Sequence, residues 1–261
     1  MKTYRYNAES WDEFMHDICT RKPNWVKSSI AKEGGEWSGT RTWEEALEYA
    51  IKGHPAARVA MDAVTLKVTM EPEPMWDTAP VGAFPCIPAN AAGVPEDMFA
   101  MSDIAPPVQS PIVRITVNMM ISASIDANHI RNRGAAIVTL IDRIQLSGRR
   151  VELVASMHSE LEGIRYIWNV TVKRPEEPID MDRIGLAFAT PIMYRRLFFR
   201  VMEFSTPKPV FGYGYPDNFK DELKDSHLSL PSILSTTYEN EYSTPERAAA
   251  HIAKLWKAAA A

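Results

Sequence analysis

Ile112-Val113-Arg114-Ile115-Thr116-Val117-Asn118-Met119-Met120-Ile121 is an apolar run rich in β-branched side chains, the composition of a buried strand. Ser122-Ala123-Ser124-Ile125-Asp126 follows, a cluster of turn and cap residues. The period then becomes helical over 127–147. Ile130, Ile137, Leu140, Ile141 and Ile144 fall on one face, and Arg131, Arg133, Asp142, Arg143 and Gln145 on the other. Asp126 is the expected N-cap and Gly148 the expected stop. Val151-Glu152-Leu153-Val154-Ala155 reads as the next strand. Strand, helix and strand with short links make a βαβ unit, which needs neighbouring parallel strands and a right-handed crossover. The expected class is mixed α/β (α+β): a central sheet built on this unit, a small N-terminal helical segment and a Pro-rich irregular arm.

Outward from that unit, 164–173 alternates Ile164, Tyr166, Trp168, Val170 and Val172 with a wetter set, the pattern of a further strand. Asp180 or Asp182 caps a helix through Ala189, and Pro191 starts another that runs to about Glu203. Towards the N-terminus, Ser10 with Glu13 caps a helix over 11–19, and Thr42 caps one over 43–52 that stops at Gly53. Residues 59–70 read as a strand. The stretch 71–111 holds eight prolines from Pro72 to Pro107, so it is not helical over most of its length; its apolar members imply packing on the domain or on a partner subunit. Residues 206–217, rich in Gly, Pro and aromatics, read as a mobile loop, and 245–257 as a final helix with Pro245 at its first position. Three regions result: an N-terminal helical segment 1–58, an α/β core 59–205 including the arm, and a loop with a C-terminal helix, 206–261, packed on the core.

A chain of 261 residues with 46% hydrophobic and 24% charged residues can bury a sizeable core. Its net charge of −4 excludes a polycation, so any nucleic-acid surface has to be a local patch. Cys19 and Cys86 are the only cysteines, which fits a reducing compartment. The N-terminus lacks the apolar core of a signal peptide and no stretch has the length of a membrane span, so the expected location is the cytoplasm.

Catalytic signatures are missing: no Walker A loop, no GxGxxG after the first strand, no GxSxG and no HExxH. His16, His54, His129, His158, His227 and His251 are scattered without metal-ligand spacing. Asp180 and Asp182 suit helix capping better than acid–base work. Ser122-Ala123-Ser124 after a strand resembles the DxSxS metal loop of von Willebrand A-type domains, but Met120 stands where the aspartate belongs, so a hard divalent ion loses its carboxylate. The expectation is a protein that is not an enzyme and has no cofactor and no metal.

Trp37-Ser38-Gly39-Thr40, Trp43-Glu44-Glu45-Ala46-Leu47 and Gly53 resemble the N-terminal signature of a family of bacteriophage proteins of unassigned activity. The resemblance continues at 93–98, Arg133-Gly134, 148–151 and Ile179-Asp180-Met181-Asp182, and through Pro191 to Arg195-Arg196. Among phage proteins, the chain is similar in size and character to the single-stranded-DNA-binding RNA polymerase cofactors of lytic podophages. That resemblance implies a transcription cofactor that holds melted promoter DNA and recruits a phage RNA polymerase. The residues themselves add short clusters of bases, Arg131 with Arg133, Arg149-Arg150, Lys173-Arg174, Arg195-Arg196 with Arg200, and Lys208, beside loop aromatics Phe211, Tyr213 and Tyr215. They also add an interleaved basic–aromatic stretch, Arg21, Lys22, Trp25, Lys27, Lys32, Trp37, Arg41 and Trp43, from which Lys27, Trp37 and Arg41 join the expected contacts. Bases stack on such rings while cations meet phosphates. The competing reading makes the aromatics core and the cations solvated. The expected partners are single-stranded DNA, the polymerase and, through the arm, a second copy of the chain, with no membrane. The alternative is a protein–protein scaffold, a degenerate von Willebrand A-like module that binds no nucleic acid.

Overall fold

The computed structural model describes residues 2–26, 29–30, 35–55, 57–58, 76–80, 84–95, 98–101, 111–210, 213, 215–217, 225–233 and 240–260. In chain order the elements are β1 (Lys2–Ala8), α1 (Trp11–Thr20), α2 (Gly35–Ser38), α3 (Trp43–Lys52), β2 (Trp76–Ala79), β3 (Phe84–Pro85), α4 (Ile87–Ala91), β4 (Met98–Met101) and β5 (Ile112–Asn118). Then come α5 (Ala127–Leu146), β6 (Arg150–Leu161), β7 (Ile164–Lys173), α6 (Met181–Ala189), a π-helical turn (Met193–Phe198) leading into α7 (Phe199–Ser205), β8 (Tyr215–Pro216), β9 (Leu228–Leu230) and α8 (Pro245–Ala260).

The βαβ unit is present. β5 and β6 are parallel neighbours, with Val113 opposite Val151, Ile115 opposite Leu153 and Val117 opposite Ala155. Asp126 caps α5 by accepting from the Asn128 N–H at 2.7 Å, and Gly148 (φ +78°) turns the chain out of the helix as only a residue without Cβ does cheaply. Ile137, Leu140, Ile141 and Ile144 are all buried. Their burial closes the apolar face of the sheet, because paired strand residues point the same way. Around this unit the sheet runs β1-β7-β6-β5-β9, with β8 also on β6. β9 is parallel to β5, β7 antiparallel to β6 and β1 parallel to β7. The β6–β7 hairpin turns on Glu162 (φ +53°) and Gly163 (φ +73°), two left-handed residues whose twist matches that of the strands.

Several sequence expectations need correction. β6 runs twelve residues instead of five, because β7 pairs with it over Leu153–Leu161, past Ser156 where its pairing with β5 ends. The N-terminal segment is not only helical: Lys2–Ala8 is a strand of the central sheet. Its signal was the alternation Tyr4-Arg5-Tyr6, too short to stand out. The described part of the Pro-rich arm is not irregular; β2, β4 and β3 form a small antiparallel sheet. Pro85 lies on its edge strand β3, where a missing N–H is tolerated. The strand expected over 59–70 lies outside the described residues.

The loop after α7 is also more anchored than its composition implies. The buried Glu203 carboxylate accepts from Tyr213 Oη at 2.7 Å and from the Ser29 N–H at 3.2 Å and hydroxyl. Trp25 Nε1 donates to Thr206 Oγ1 at 2.9 Å, and the Tyr213 ring stacks on Phe199 at 3.6 Å. Val210 and Tyr213 are buried and belong to the core.

Candidate nucleic-acid interface

The expected cationic clusters do not form one surface. Arg131 and Arg149 lie near opposite ends of α5, a helix of twenty residues and therefore about 30 Å long. Arg131 donates to Asn128 Oδ1, and Arg174 is held by Glu176 and Glu177 beside β7. Arg149 is exposed and Arg150 half-buried at the start of β6; Arg41 is exposed ahead of α3. Tyr215 is exposed on β8, opposite Glu160, and register places it on the sheet face away from Tyr4 and Tyr166. Lys27 and Phe211 lie outside the described residues.

Five of the expected contacts are buried: Arg133, Lys173, Arg195, Arg196 and Tyr213. They serve the fold instead. Chain ends of helices and strands leave carbonyls without partners, and a buried carbonyl needs a donor. Arg133 donates to Asn118 O at the end of β5, and Lys173 Nζ to Val151 O and Arg174 O. Arg195 donates to Trp37 O at 2.6 Å and Ser122 O at 3.2 Å, its guanidinium 4.6 Å over the half-exposed Trp37 ring. Arg196 donates to Ser29 O, Thr40 O and Thr40 Oγ1. The wide π-helical turn lets both consecutive arginines face inward. Burial pushes Arg133 and Arg195 down to about 10, still charged at neutral pH. Arg200 pairs with Glu203 at 3.6 Å and lies over Trp43, so it too is committed to the interior.

Three of the motifs quoted above lie at or beside this joint. A Cβ on Gly39 (φ +81°) would meet Ile192 at 2.8 Å, and one on Gly134 would meet Ala189 at 2.6 Å. Trp37-Ser38-Gly39-Thr40, Arg133-Gly134 and Arg195-Arg196 are therefore packing determinants.

Exposed cations gather instead along β1. Two clefts follow each other between this strand and segment 204–210. The first, about 490 Å³, is lined by Arg5, Tyr6, Arg21, Lys22, Phe204 and Ser205. The second, about 190 Å³, is bordered by Tyr4, Ile164, Tyr166, Glu162 and Lys208. Tyr4 stacks on Tyr166 with centroids 5.7 Å apart, and Lys2 Nζ lies 4.7 Å from the Tyr4 centroid. The groove thus sets Lys2, Arg5, Arg21, Lys22 and Lys208 against the acids Asp17 and Glu162, with Asp17 already paired to Arg21 at 3.3 Å. Among the described residues, Lys208 is the one expected contact that lies here. Arg21 and Lys22 belong to the interleaved basic–aromatic stretch; Lys2 and Arg5 become neighbours of Lys208 only through the pairing of β1 with β7.

A second polar feature crosses the other sheet face. Asn7, Asn169, Ser156 and Asn118 stand in register on four adjacent strands. Ser156 donates to Asn169, Asn169 to Asn7, and Asn118 to Asp217 O. These groups satisfy one another, which suits a structural row better than a ligand site.

Among the described residues no group of three or more His, Cys, Asp or Glu side chains could hold a metal ion, and no helix is long and apolar enough to cross a membrane. Met120 is buried, and Arg195 brings a fixed positive charge to the Ser122 carbonyl in the loop that resembles a metal site. Magnesium or manganese titration is therefore expected to leave the melting temperature unchanged; a rise of several degrees would overturn that expectation, because a ligand specific to the native state must stabilise it.

The molecule is thus an α/β protein with a mixed sheet, a buried arginine joint and a cationic groove at the sheet edge. The chain belongs to the DUF7192 family, a domain of unknown function, which it matches over residues 1–255. No curated protein and no solved structure matches it.

Proposed function

We propose that the protein is a non-enzymatic single-stranded-DNA-binding protein that lays the strand along the groove between β1 and segment 204–210. The observation that carries this reading is the gathering of Lys2, Arg5, Arg21, Lys22 and Lys208 beside the Tyr4–Tyr166 stack on a chain of net charge −4. Cations for the backbone and a ring for bases are the two components of sequence-tolerant strand binding. The phage setting, the role as transcription cofactor and the polymerase partner extend this proposal and rest on the family resemblance; the cytoplasmic location extends it too and rests on the composition of the chain.

Binding of an oligonucleotide of about 30 residues, followed by anisotropy at several salt concentrations, is expected to exceed binding of duplex and to weaken with a log–log slope of about −0.7 per phosphate neutralised. Replacing Arg5, Arg21 and Lys22 together by Ala should flatten that slope by about 2. Tyr4→Ala should weaken binding by about 1–3 kcal/mol with the slope nearly unchanged. Cations on an edge strand also block edge-to-edge pairing. If that were their whole role, the triple variant would aggregate and the native protein would show no salt-sensitive binding.

The scaffold reading has one specific observation in its favour. The loops after β5 and β9 are tied together, the Ser122 N–H donating to Ile233 O at 3.1 Å, which closes the carboxyl end of β5 as a surface. Absence of salt-sensitive binding to single strands would make that surface, and a protein partner, the better reading.

A further inference from the structure

The smaller of the two clefts contains an acid that backbone binding does not explain. Ile164, Pro207, Pro209 and the Tyr4–Tyr166 stack give it apolar walls, which suit the face of a base. At about 190 Å³ it is smaller than the roughly 300–1,000 Å³ of a pocket for a whole drug-sized ligand, so it suits one base with the sugar and phosphate outside. Glu162 lines the same cleft and is exposed. A carboxylate beside a strand-binding groove repels phosphates, so its use has to lie elsewhere. We propose that this cleft reads a guanine, the Glu162 carboxylate accepting from the N1–H and the 2-amino group of the base. The inference rests on the strand-binding reading above and adds one read position to it.

The carboxylate is available to a ligand. Among the described residues no cation stands within ion-pair distance of Glu162 and no hydrogen bond occupies it. It lies close to the ring stack: burial first, then Tyr4 and Glu162, pushes the Tyr166 phenol up. Glu162 also holds a left-handed backbone (φ +53°) at a hairpin position that Asn or Gly fills at lower cost. A carboxylate only accepts, and its two oxygens match two parallel donors. Guanine alone of the four DNA bases presents two adjacent donors on its Watson–Crick edge. Thymine sets its one N–H between two carbonyls, and adenine and cytosine set their amino group beside a ring nitrogen that a carboxylate repels. A single strand exposes this edge and a duplex hides it, so the same contact favours single strands. Lys208 lines the cleft as well and supplies a donor for the guanine O6.

The test uses the full chain and labelled oligothymidylates of one length, plain or carrying a single dG, dA, dC or deoxyinosine at the centre, with deoxyguanosine and deoxyadenosine as free probes. The dG strand is expected to bind roughly five- to a hundredfold tighter than the plain, dA and dC strands, the worth of one bidentate base contact. Deoxyinosine keeps the N1–H but lacks the amino group and should retain only part of that gain. Glu162→Gln, at an exposed turn, offers one acceptor beside one donor. It should abolish the dG preference, while binding of the plain strand holds or strengthens as a negative charge leaves the groove. Equal affinity for all strands, or a dG preference that survives in Glu162→Gln, overturns the guanine site and leaves strand binding intact. Thermal stabilisation by deoxyguanosine and not by deoxyadenosine, lost in Glu162→Gln, without binding of any oligonucleotide supports the site and overturns the strand-binding reading. No response to any of these probes overturns both.

Discussion

Glu203→Ala is expected to cost about 3–5 kcal/mol of stability, the range for removing one partner from a buried charged network. Three anchors depend on this carboxylate. The Ser29 N–H and hydroxyl and the Tyr213 hydroxyl all donate to it, and Arg200 lies 3.6 Å away. Each donor left facing a void forfeits about 1–3 kcal/mol, although Arg200 can turn partly to water. Tyr213 also holds a left-handed backbone (φ +58°), unfavourable for a tyrosine and maintained by its hydroxyl bond and its stack on Phe199. With the carboxylate gone, that strain should release the loop. The melting temperature is expected to fall by roughly 10 °C at about 2–4 °C per kcal/mol for a chain of this size. Trp25, bonded to Thr206, should shift its fluorescence to the red. Glu203→Gln retains one carbonyl acceptor and should lose about half as much. A loss below about 1 kcal/mol in urea unfolding of Glu203→Ala would show that the loop is held by other contacts. The groove borders on Glu203 through Phe204 and Ser205, so the same variant should weaken nucleic-acid binding.

Gly134→Ala should destabilise by about 1–3 kcal/mol or more, against the usual sign. In an exposed helix this change gains about 1 kcal/mol, because glycine has more conformational freedom to lose. Here the new methyl would sit 2.6 Å from the Ala189 Cβ and 2.8 Å from its Cα and N. Two of the three obstacles are backbone, so no side-chain rotation removes the overlap, and α5 and α6 would have to separate. Overpacking therefore outweighs propensity. Adding Ala189→Gly should restore only part of the loss, since the backbone atoms remain. Circular dichroism melts of the single and double variants decide this; a Gly134→Ala protein as stable as wild type would mean that the helices separate without cost.

The buried arginines explain why a sequence signature could identify a family without identifying chemistry. Arg195-Arg196, Arg133-Gly134 and Trp37-Ser38-Gly39-Thr40 look like contacts and motifs for a ligand. Trp37-Ser38-Gly39-Thr40 and Arg195-Arg196 meet each other instead, guanidinium to carbonyl, around the π-helical turn, while Arg133 donates to Asn118 O and Gly134 packs on Ala189. Nothing local distinguishes an arginine that caps a distant carbonyl from one that meets phosphate. Both are charged residues in helical or loop sequence, and the partner of Arg196 lies 156 and 167 positions away, at Thr40 and Ser29.

What the sequence by itself determined is the local architecture. The β-branched run at 112–121, of which 112–118 forms β5, the helical period after Asp126, the caps Ser10 and Thr42 and the alternation of 164–173 specify their elements, because each rests on interactions within a few residues; of the two candidate caps Asp180 and Asp182, the fold uses Asp180. Only the tertiary structure decided that Lys2–Ala8 completes the sheet beside β7, that Glu203 anchors Tyr213, and that Arg5, Arg21, Lys22 and Lys208 share a groove while Arg133 and Arg195 are buried. Strand pairing and burial are set by long-range packing, in which a charged side chain goes wherever its hydrogen bonds are best met, and that partner is not written in its neighbours.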